Sequence, residues 1–412
     1  MKVLMLVQSP VAGDSRVLRE AAALRKAGHD VHVFGRDVPD DFDPGGGVTV
    51  GSVARSRGMK PRSAVAASAT AASPRTDAPR AANSGPAAPP SVPSFAAGGL
   101  KGRALRGARW FLLPEHRERT ERTWRTEAGQ ALAGSGPFDV VHAHDYNTLA
   151  LSAELAERWS AQLVYDSHEL WFDRGLPGRP TPLRSWRGRR KEAQLAARAQ
   201  AVLTVSDGIA DRLRRRGVSE VTVVRNTFPL AGRVPPPLSP SPAGVAYAGR
   251  IGPGRDLEAV VGAAASLRPL RTVLAGPGDP AYRFDHTGVE IVPPMSLNSV
   301  DELYQELGIA IVTLTDTCDN HRLALPNKLF HAVRAGVPVV AANLPELHRV
   351  VLRHGLGRLY RPGDPNSLAD AVRSVVREYG EHVSAVHKAR PALSWERDAQ
   401  VLTEVYAGLE SR

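Results

Sequence analysis

The stretch Ala324–Val340, ALPNKLFHAVRAGVPVV, predicts a helix that leads through a glycine into a buried strand. Pro326 suits the first turn of a helix, and Gly336 suits the left-handed position that ends one. The valines that follow Gly336 are typical of a parallel strand covered on both faces. Because helix and strand alternate in this way along the chain, the stretch places the protein in the α/β class.

The predicted helix has two different sides. At about 100° per residue, Asn327, His331 and Arg334 fall on one side. Leu329 and Val333 fall on the other. The free amides and the dipole of a helix N-terminus attract anions, so the polar side could hold a phosphorylated ligand. An amphipathic helix without a ligand accounts for the same pattern equally well.

Composition narrows the class of partner. The net charge of +11 indicates a negatively charged partner: a phosphorylated substrate, anionic lipid or nucleic acid. Nucleic acid is disfavoured, because the sequence has no zinc-finger spacing and only 6% aromatic residues. The single cysteine, Cys318, fits a reducing compartment. No apolar run approaches the roughly 18 residues of a membrane span, and the apolar start is too short for a signal peptide. We therefore expect a cytoplasmic protein.

Alternating strands and helices predict two Rossmann-like, doubly wound domains that face each other across a cleft. The first domain is expected over residues 1–232 and the second over residues 243–393, with a proline-rich linker at 233–242. Residues 394–412 are predicted to form a final amphipathic helix. Residues 55–99 contain few bulky apolar side chains, so we expect a disordered insertion there.

A basic segment with a local apolar cluster occupies residues 101–125. Its apolar centre is the run Trp110-Phe111-Leu112-Leu113. One interpretation is a peripheral contact with anionic lipid at the inner face of the membrane. The other is a helix that packs its apolar side against its own domain.

A glycine-rich loop from Gly249 to Arg255, GRIGPGR, lies between a predicted strand and a predicted helix. Glycines such as Gly252 let backbone amides approach a phosphate, and Arg250 and Arg255 add two permanent cations. The glycine order differs from the dinucleotide fingerprint and the Walker lysine is absent, which disfavours an NAD enzyme and a P-loop NTPase. A diphosphate site fits the loop, and a tight turn with solvated arginines is the alternative.

Histidines follow two predicted strands of the first domain. His142 and His144 are two residues apart and point to the same side of their strand. His168 and Asp166 follow the next strand, so a metal site, and with it a metal-dependent hydrolase, is conceivable. The signal is weak, because a further ligand at typical spacing is lacking, and we expect no metal requirement.

Taken in order, these segments resemble the retaining, family 4-type glycosyltransferases, which have the GT-B fold. The resemblance covers nearly the whole chain except about 55–99. It rests on DSRVLREAAALRKAGHDVHVF, DVVHAHDYNTLAL, LVYDSHELW, TVSDGIADRL, VVRN, YAGRIGPGRDLE, LAGPGD and ALPNKLFHAVRAGVPVVAANLPEL. It implies transfer of a sugar from a nucleotide-diphosphate donor to a hydroxyl acceptor, with retention and without a cofactor or metal. Cell-envelope or other glycan biosynthesis is the implied setting, and the last helix is implied to cross back to the first domain.

The resemblance also implies roles for individual residues. The implied catalytic residues are His144, which reaches the donor sugar, and Arg250 and Arg255, which grip the diphosphate. The implied donor-binding residues are Gly249, Gly252, Asn226, Gly276, Pro326, Asn327, Lys328 and His331. The implied acceptor-side residues are Gly13, Asp14, Ser15, Arg16 and His168. Without a metal, arginines and helix amides stabilise the leaving diphosphate.

The chain departs from the family at two positions. The family usually carries two glutamates with seven residues between them, and here these positions are Leu323 and His331. The second glutamate normally holds the ribose hydroxyls, and losing a charged hydrogen bond costs about 1.5–3 kcal/mol. We therefore expect altered donor affinity or identity, and we expect glutamate at position 331 to strengthen donor binding. A catalytically weak homologue that acts as a binding or assembly partner is the alternative.

Overall fold

The computed structural model describes residues 1–53, 116–175, 182–230 and 234–411. The insertion expected at 55–99 lies outside the described residues. So does most of the basic segment at 101–125, including its apolar centre. No helix within the described ranges is both long and apolar enough to cross a membrane.

The first part of the chain forms a parallel sheet with the strand order β3-β2-β1-β4-β5-β6-β7. Its strands are β1 (Lys2–Pro10), β2 (Asp30–Arg36), β3 (Thr49–Val53), β4 (Val140–His144), β5 (Gln162–Ser167), β6 (Ala201–Thr204) and β7 (Val221–Val223). The helices among them are α1 (Ser15–Lys26), α2 (His116–Ala131), α3 (Tyr146–Trp159), α4 (Pro182–Ala196) and α5 (Asp207–Arg215).

The second part forms another parallel sheet, ordered β10-β9-β8-β11-β12-β13. Its strands are β8 (Gly244–Ala248), β9 (Arg271–Ala275), β10 (Glu290–Val292), β11 (Gly308–Val312), β12 (Val339–Ala342) and β13 (Gly357–Tyr360). The helices are α6 (Leu257–Leu267), α7 (Leu297–Leu307), α8 (Asp319–Leu323), α9 (Asn327–Ala335), α10 (Pro345–His354), α11 (Pro365–Arg377), α12 (Tyr379–Ala389) and α13 (Trp395–Glu410). The predicted α/β class, with two Rossmann-like domains, is confirmed.

The central strand β1 shows why the sheet is covered on both faces. Its side chains alternate between the two faces of the sheet, as the period of a strand requires. Val3 and Met5 join one hydrophobic cluster, and Leu4 and Leu6 join another. All four are fully buried, so the middle of the strand is apolar at consecutive positions and not at alternate ones.

The last helix, α13, packs against the first sheet. Ser394 caps its N-terminus through the amide of Arg397. Trp395 and Tyr406 lie in the same hydrophobic cluster as β1 and α1. The Tyr406 hydroxyl also lies 2.9 Å from Nδ1 of His142 on β4.

The stretch Ala324–Val340 contains α9 and the start of β12. The helix begins at Asn327, one residue later than predicted, and Pro326 is its N-cap. Gly336 has φ 81° and ends the helix in the left-handed conformation that glycine adopts without a steric penalty. The strand β12 is buried along its whole length between β11 and β13.

Candidate active site

Two glycines follow neighbouring strands of the second sheet and bring their loops together. Gly249 follows β8 and Gly276 follows β9, with φ angles of 152° and 141°. The Gly249 amide donates to the carbonyl of Ala275 at 2.8 Å. A Cβ on Gly276 would lie 2.1 Å from the carbonyl oxygen of Gly249, so only glycine fits. The close approach of the two loops is therefore built into the sequence.

The rest of the glycine-rich loop is held by the backbone. Ile251 donates to the carbonyl of Pro277 at 2.9 Å, and Asp279 donates to the carbonyl of Ile251 at 2.8 Å. Gly252 is buried between these contacts, and a Cβ there would lie 3.4 Å from Cβ of Asp279. The loop is thus rigidly attached to the carboxyl ends of β8 and β9, where open α/β sheets bind ligands.

The cations of this region differ in their pairing. Arg250 is exposed and lies 2.5 Å from Asp279. Arg255 and Lys328 are half-buried, and neither has a carboxylate partner among the described residues. The Lys328 ammonium lies 4.9 Å from the centre of the Tyr247 ring, and a Cβ on Gly249 would lie 2.8 Å from Cε of Lys328. Two uncompensated cations therefore flank the glycine-rich loop.

The environment of Lys328 favours its neutral form. Burial, followed by the positive charge of Arg255, lowers the pKa of Lys328 from 10.5 to about 7. An anion bound between these two cations would reverse this shift, because it favours the charged ammonium.

The N-terminus of α9 lies beside this cation pair. Its cap, Pro326, has no side-chain acceptor, and no acid occupies the first turn. Asn327 is exposed, and Lys328 follows it in the same turn. The first amides of the helix are therefore open to an anion, which the helix dipole also favours.

His331 does not lie on an open surface. Its Nε2 lies 3.1 Å from Oδ1 of Asp301 on α7 and 3.2 Å from the carbonyl oxygen of Leu297. Arg334 binds the other oxygen of Asp301 at 3.1 Å, and both basic residues are buried. The polar side of α9 thus packs against its own domain at these two positions. Periodicity within α9 could not reveal this, because the acid belongs to another helix.

Asn226 also has a partner within the protein. Its side-chain oxygen accepts a hydrogen bond from Arg19 of α1. The Arg19 guanidinium lies 5.2 Å from the ring centre of Phe228 and 5.6 Å from that of Trp395. Burial, together with the charge of nearby Arg16, lowers the pKa of Arg19 to about 10.

A buried ionic cluster lies at the carboxyl ends of β4 and β5 in the first sheet. Nε of Arg16 lies 2.9 Å from Oε1 of Glu20 and 2.9 Å from Oδ2 of Asp166. Its Nη1 donates to the carbonyl of Val224 at 2.9 Å. Burial alone would lower the pKa of Arg16, but Asp166 and Glu20 raise it. Arg16 is therefore a permanently charged centre of the cluster. The role of Glu20 was missed at the level of the sequence, although its i,i+4 spacing from Arg16 was a usable signal.

His144 and His168 extend this cluster towards the loop before α1. His144 Nδ1 lies 3.1 Å from Nε2 of His168, which in turn lies 2.9 Å from Oδ2 of Asp166. Burial lowers the pKa of His144. Burial would also lower that of His168, but Asp145 and Asp166 raise it to about 10. These pKa shifts favour the neutral form of His144 and the protonated form of His168.

Asp145 supports His168 from a strained backbone conformation. It has φ 64° and ψ 165°, a region that residues other than glycine rarely occupy. Its Oδ1 accepts the amide of His168 at 3.1 Å, and burial raises the pKa of Asp145 to about 6. Such strain costs on the order of 1–3 kcal/mol and is concentrated at functional sites. No sequence pattern had singled out this residue.

The acceptor-side loop lies within electrostatic range of these histidines. Asp14 caps α1 by accepting the amide of Val17, and its other oxygen accepts the Ser9 hydroxyl at 2.8 Å. Burial would raise the pKa of Asp14, but the charge of His168 and the Ser9 hydrogen bond lower it. Gly13 and Ser15 are exposed on either side. The structure therefore brings Asp14, Arg16, His144 and His168 into one region.

Four buried side chains could offer ligand atoms to a metal ion. These atoms lie within 4.8 Å of one another and belong to Glu20, His142, His144 and Asp166. Nδ1 of His142 already contacts Tyr406. Arg16 contacts both carboxylates, so a cation already occupies the position between them. The set therefore fits a divalent ion poorly.

Leu323, the other departure from the family pattern, takes part in a contact between the two sheets. Its carbonyl accepts the Ser206 hydroxyl at 2.6 Å. Beside it, the carboxylate of Glu346 accepts the amides of Asp207 and Gly208, each at 3.2 Å. An acid of the second domain thus caps helix α5 of the first.

Family comparison agrees with this architecture in both halves of the chain. Residues 13–227 match the model of the glycosyl transferase 4-like domain. Residues 242–378 match that of the glycosyl transferases group 1.

Individual relatives are distant but extensive. A glycogen synthase of Mycobacterium tuberculosis is 26% identical over 310 residues, which cover 70% of each chain. A D-inositol 3-phosphate glycosyltransferase of Xylanimonas cellulosilytica is 25% identical over 317 residues, covering 69% of this chain and 75% of the relative.

Solved structures share the fold over the full length. Sucrose-phosphate synthase from Thermosynechococcus elongatus superposes with a TM-score of 0.71 at 15% identity, covering 100% of this chain and 99% of the other. Anabaena HepE in complex with UDP superposes with a TM-score of 0.63 at 16% identity, covering 100% of both chains. The chain therefore belongs to the family 4-like glycosyltransferases and has their GT-B fold.

Proposed function

We propose that this glycosyltransferase moves a hexosyl group from a nucleotide-diphosphate sugar to a hydroxyl of a glycan acceptor, with retention and without a metal ion. The observation that carries the donor site is the pair of uncompensated cations, Arg255 and Lys328, beside the glycine-rich loop. A half-buried ammonium without a counterion is costly, and a bound diphosphate supplies the missing charge. The structures of HepE with UDP-glucose make UDP-glucose the first donor to test.

The residues of the second domain would stabilise the leaving group. As the bond between the anomeric carbon and the phosphate oxygen breaks, negative charge grows on the diphosphate. Arg255, Lys328 and the first amides of α9 are held in place before the reaction, so their stabilisation requires little reorganisation. The acceptor oxygen bonds to the anomeric carbon on the face that the diphosphate leaves. The acceptor proton passes to the departing phosphate oxygen.

The first domain would present the acceptor and the donor sugar to each other. Neutral His144 lies at the end of β4. Its Nδ1 lies 3.1 Å from Nε2 of protonated His168. His144 Nε2 is buried and has no hydrogen-bond partner among the described residues. We assign His144 to a sugar hydroxyl, which would satisfy this orphan nitrogen. Gly13, Asp14 and Ser15 would line the acceptor side.

The absence of a metal requirement is part of the proposal. Arg16 neutralises the two carboxylates that a divalent ion would need. The arginine and lysine of the second domain take the role that a metal ion has in other transferases. The same arrangement disfavours a hydrolase that uses His142 and His144. A cytoplasmic location is proposed with it, because the single cysteine fits a reducing compartment.

Calorimetric titration with a panel of nucleotide sugars, with and without a chelator, tests this function. We expect one donor to bind equally well in both conditions, and Arg255→Ala to weaken its binding. Arg283→Ala is the matched control, because Arg283 is an exposed arginine of the same domain that donates to the Pro280 carbonyl. Nuclear magnetic resonance of the product should show the anomeric configuration of the donor. Failure of every nucleotide sugar to bind would refute the proposal.

One alternative is a catalytically weak homologue that acts as a binding or assembly partner. The observation is that Asp301 engages His331, where the family has its ribose-binding glutamate. Tight donor binding without transfer to any acceptor or to water would support this alternative.

A further inference from the structure

Helix α4 exposes large apolar side chains at its first turn. Leu183 is 44% exposed and Trp186 is 55% exposed. They are three residues apart, so they lie on the same side of the helix. The opposite side of α4 is held by buried groups, among them Ser185 and Ala196. Because this opposite side of α4 packs against the domain, Trp186 is left exposed.

Positive charge follows on the same side. Arg187 and Arg190 lie at helical spacings of one and two turns from Leu183, and Lys191 adjoins them. All three are exposed, and the Arg190 guanidinium lies 5.8 Å from the centre of the Trp186 ring. We call these residues the α4 surface: Leu183, Trp186, Arg187, Arg190 and Lys191.

The negative charges near the α4 surface are directed inward. Glu192, the acid within α4, is buried and accepts the Tyr165 hydroxyl at 2.8 Å. Asp173 is also buried, and it pairs with Arg189 at 2.8 Å and with Arg216 at 2.7 Å. The outward face therefore carries cations that these acids do not neutralise.

A groove of about 520 Å³ runs beside Trp186. It lies between α4 and the residues after α5, and Arg189, Arg190 and Arg216 line it together with the indole. Guanidinium groups suit phosphate recognition, because their donors match phosphate geometry in pairs. Asp173 already pairs with Arg189 and Arg216, so the cation that the groove offers to a phosphate, next to the exposed aromatic ring, is Arg190.

We propose that the α4 surface docks the protein on a bilayer that contains anionic phospholipid. Trp186 and Leu183 enter the interface between headgroups and acyl chains, where amphipathic rings are stable. Arg187, Arg190 and Lys191 lie at the level of the lipid phosphates, and the groove receives a headgroup. Charge complementarity selects this occupant: three exposed cations surround a protruding indole on a chain of net charge +11.

This docking surface shares no residue with the proposed donor site or with the basic segment at 101–125. None of its residues belongs to the glycine-rich loop or to the histidine cluster. The proposal would bring a transferase to acceptors at a membrane, but it does not depend on the identity of the donor. Failure of the donor experiments would therefore leave it intact.

Co-sedimentation of the full chain with vesicles tests the proposal. We expect binding to vesicles of phosphatidylcholine mixed with phosphatidylglycerol, none to phosphatidylcholine alone, and loss of binding at high salt. The double variant Arg187→Glu/Arg190→Glu should weaken the partition by at least about tenfold, since each cation near an anionic surface contributes on the order of 1 kcal/mol. Trp186→Ala should weaken it by several-fold.

Matched controls separate this surface from general charge and hydrophobicity. Arg377→Glu/Lys388→Glu changes the net charge equally at exposed positions of the second domain. Leu352→Ala removes another apolar side chain, which is 50% exposed. Both should bind vesicles as the unmodified protein does, and all variants should keep its melting temperature.

Three results would overturn the assignment. The first is equal binding to neutral vesicles. The second is unchanged vesicle binding by Arg187→Glu/Arg190→Glu, which would place the contact elsewhere in the chain. The third is binding of an acidic peptide or an oligonucleotide in a chain that binds no vesicle, which would assign the surface to another class of partner.

Discussion

Arg16 in the first domain and the pair Arg255 and Lys328 in the second are surrounded in opposite ways. In the first domain, Arg16 is buried and contacts two carboxylates and a backbone carbonyl. In the second, Arg255 and Lys328 have no carboxylate partner among the described residues. A cation whose partners are all within the protein contributes to folding, whereas a cation without partners is available to a ligand. Arg16 is therefore expected to stabilise the fold, and Arg255 and Lys328 are proposed to bind the donor.

The difference also predicts the sign of each substitution. Removing Arg16 takes the shared cation away from two buried carboxylates, which is costly. Removing Arg255 or Lys328 relieves repulsion between two cations and should cost little before the donor binds. Stability and donor affinity should therefore respond to different substitutions.

The largest effect is expected for Arg16→Ala. The variant leaves buried Glu20 without its cation and deprives Asp166 of one of its two cationic partners, the other being His168, so the free energy of unfolding should fall by about 3–5 kcal/mol. Denaturant titration followed by circular dichroism measures it. Arg215→Ala, at an exposed position of α5, should change it by no more than about 0.5 kcal/mol. Equal stability of the two variants would contradict a structural role for Arg16.

Substitution of Arg255 or Lys328 should weaken donor binding and leave stability unchanged. Arg255→Ala and Lys328→Ala should each weaken donor binding by about 1.5–3 kcal/mol, or roughly 10- to 150-fold, without lowering the melting temperature. Arg250→Ala should have a smaller effect, because Arg250 is exposed and paired with Asp279. Isothermal titration calorimetry and thermal melting measure the two quantities. A loss of stability in Lys328→Ala would show that this lysine belongs with the structural cations.

His331→Glu tests whether position 331 serves stability, through its contact with Asp301, or donor binding, as in the family. A second carboxylate within reach of Asp301 should lower the free energy of unfolding by about 1–3 kcal/mol, in contrast to the gain in donor affinity expected from the family pattern. Adding Asp301→Asn should restore most of the stability, because the introduced carboxylate could then pair with Arg334. Denaturant titration measures both variants. Tighter donor binding by the single variant would support the family role instead.

The smallest effect is a pH dependence that Lys328 should introduce. Its pKa is lowered to about 7 in the free protein, and a bound diphosphate raises it. Donor affinity should therefore be constant below pH 7 and fall by up to about tenfold per pH unit above it. Lys328→Met should abolish the slope in calorimetric titrations.

The lowered pKa of Lys328 also makes the stability of the donor-free protein depend on pH. Between pH 7 and 10.5 the unfolded chain holds more protons on Lys328 than the folded chain does, so stability without donor should rise with pH in this window. A decrease between pH 7 and 10.5 in the contribution of Lys328 to the free energy of unfolding would contradict the lowered pKa.

The sequence by itself determined the fold class and the glycine-rich loop. Alternation of helical and strand periodicity is a local property, so the two doubly wound domains follow from segments of about 10–20 residues. The helix end at Gly336 could be predicted because a positive φ angle is a property of a single residue. The proposal that the loop before α6 binds an anion rests on neighbouring residues in the same way.

Only the tertiary structure decided which polar side chains are free. Arg16 and Asp166 are 150 residues apart in sequence, and no pattern within α1 or β5 reveals that they pair. The same holds for His331 and Asp301, which lie on different helices and meet when α9 packs on α7. Charge pairing depends on distances between elements, whereas periodicity reports only the faces of one element. The sequence therefore identified residues able to bind a donor, and the fold decided which of them lack another partner.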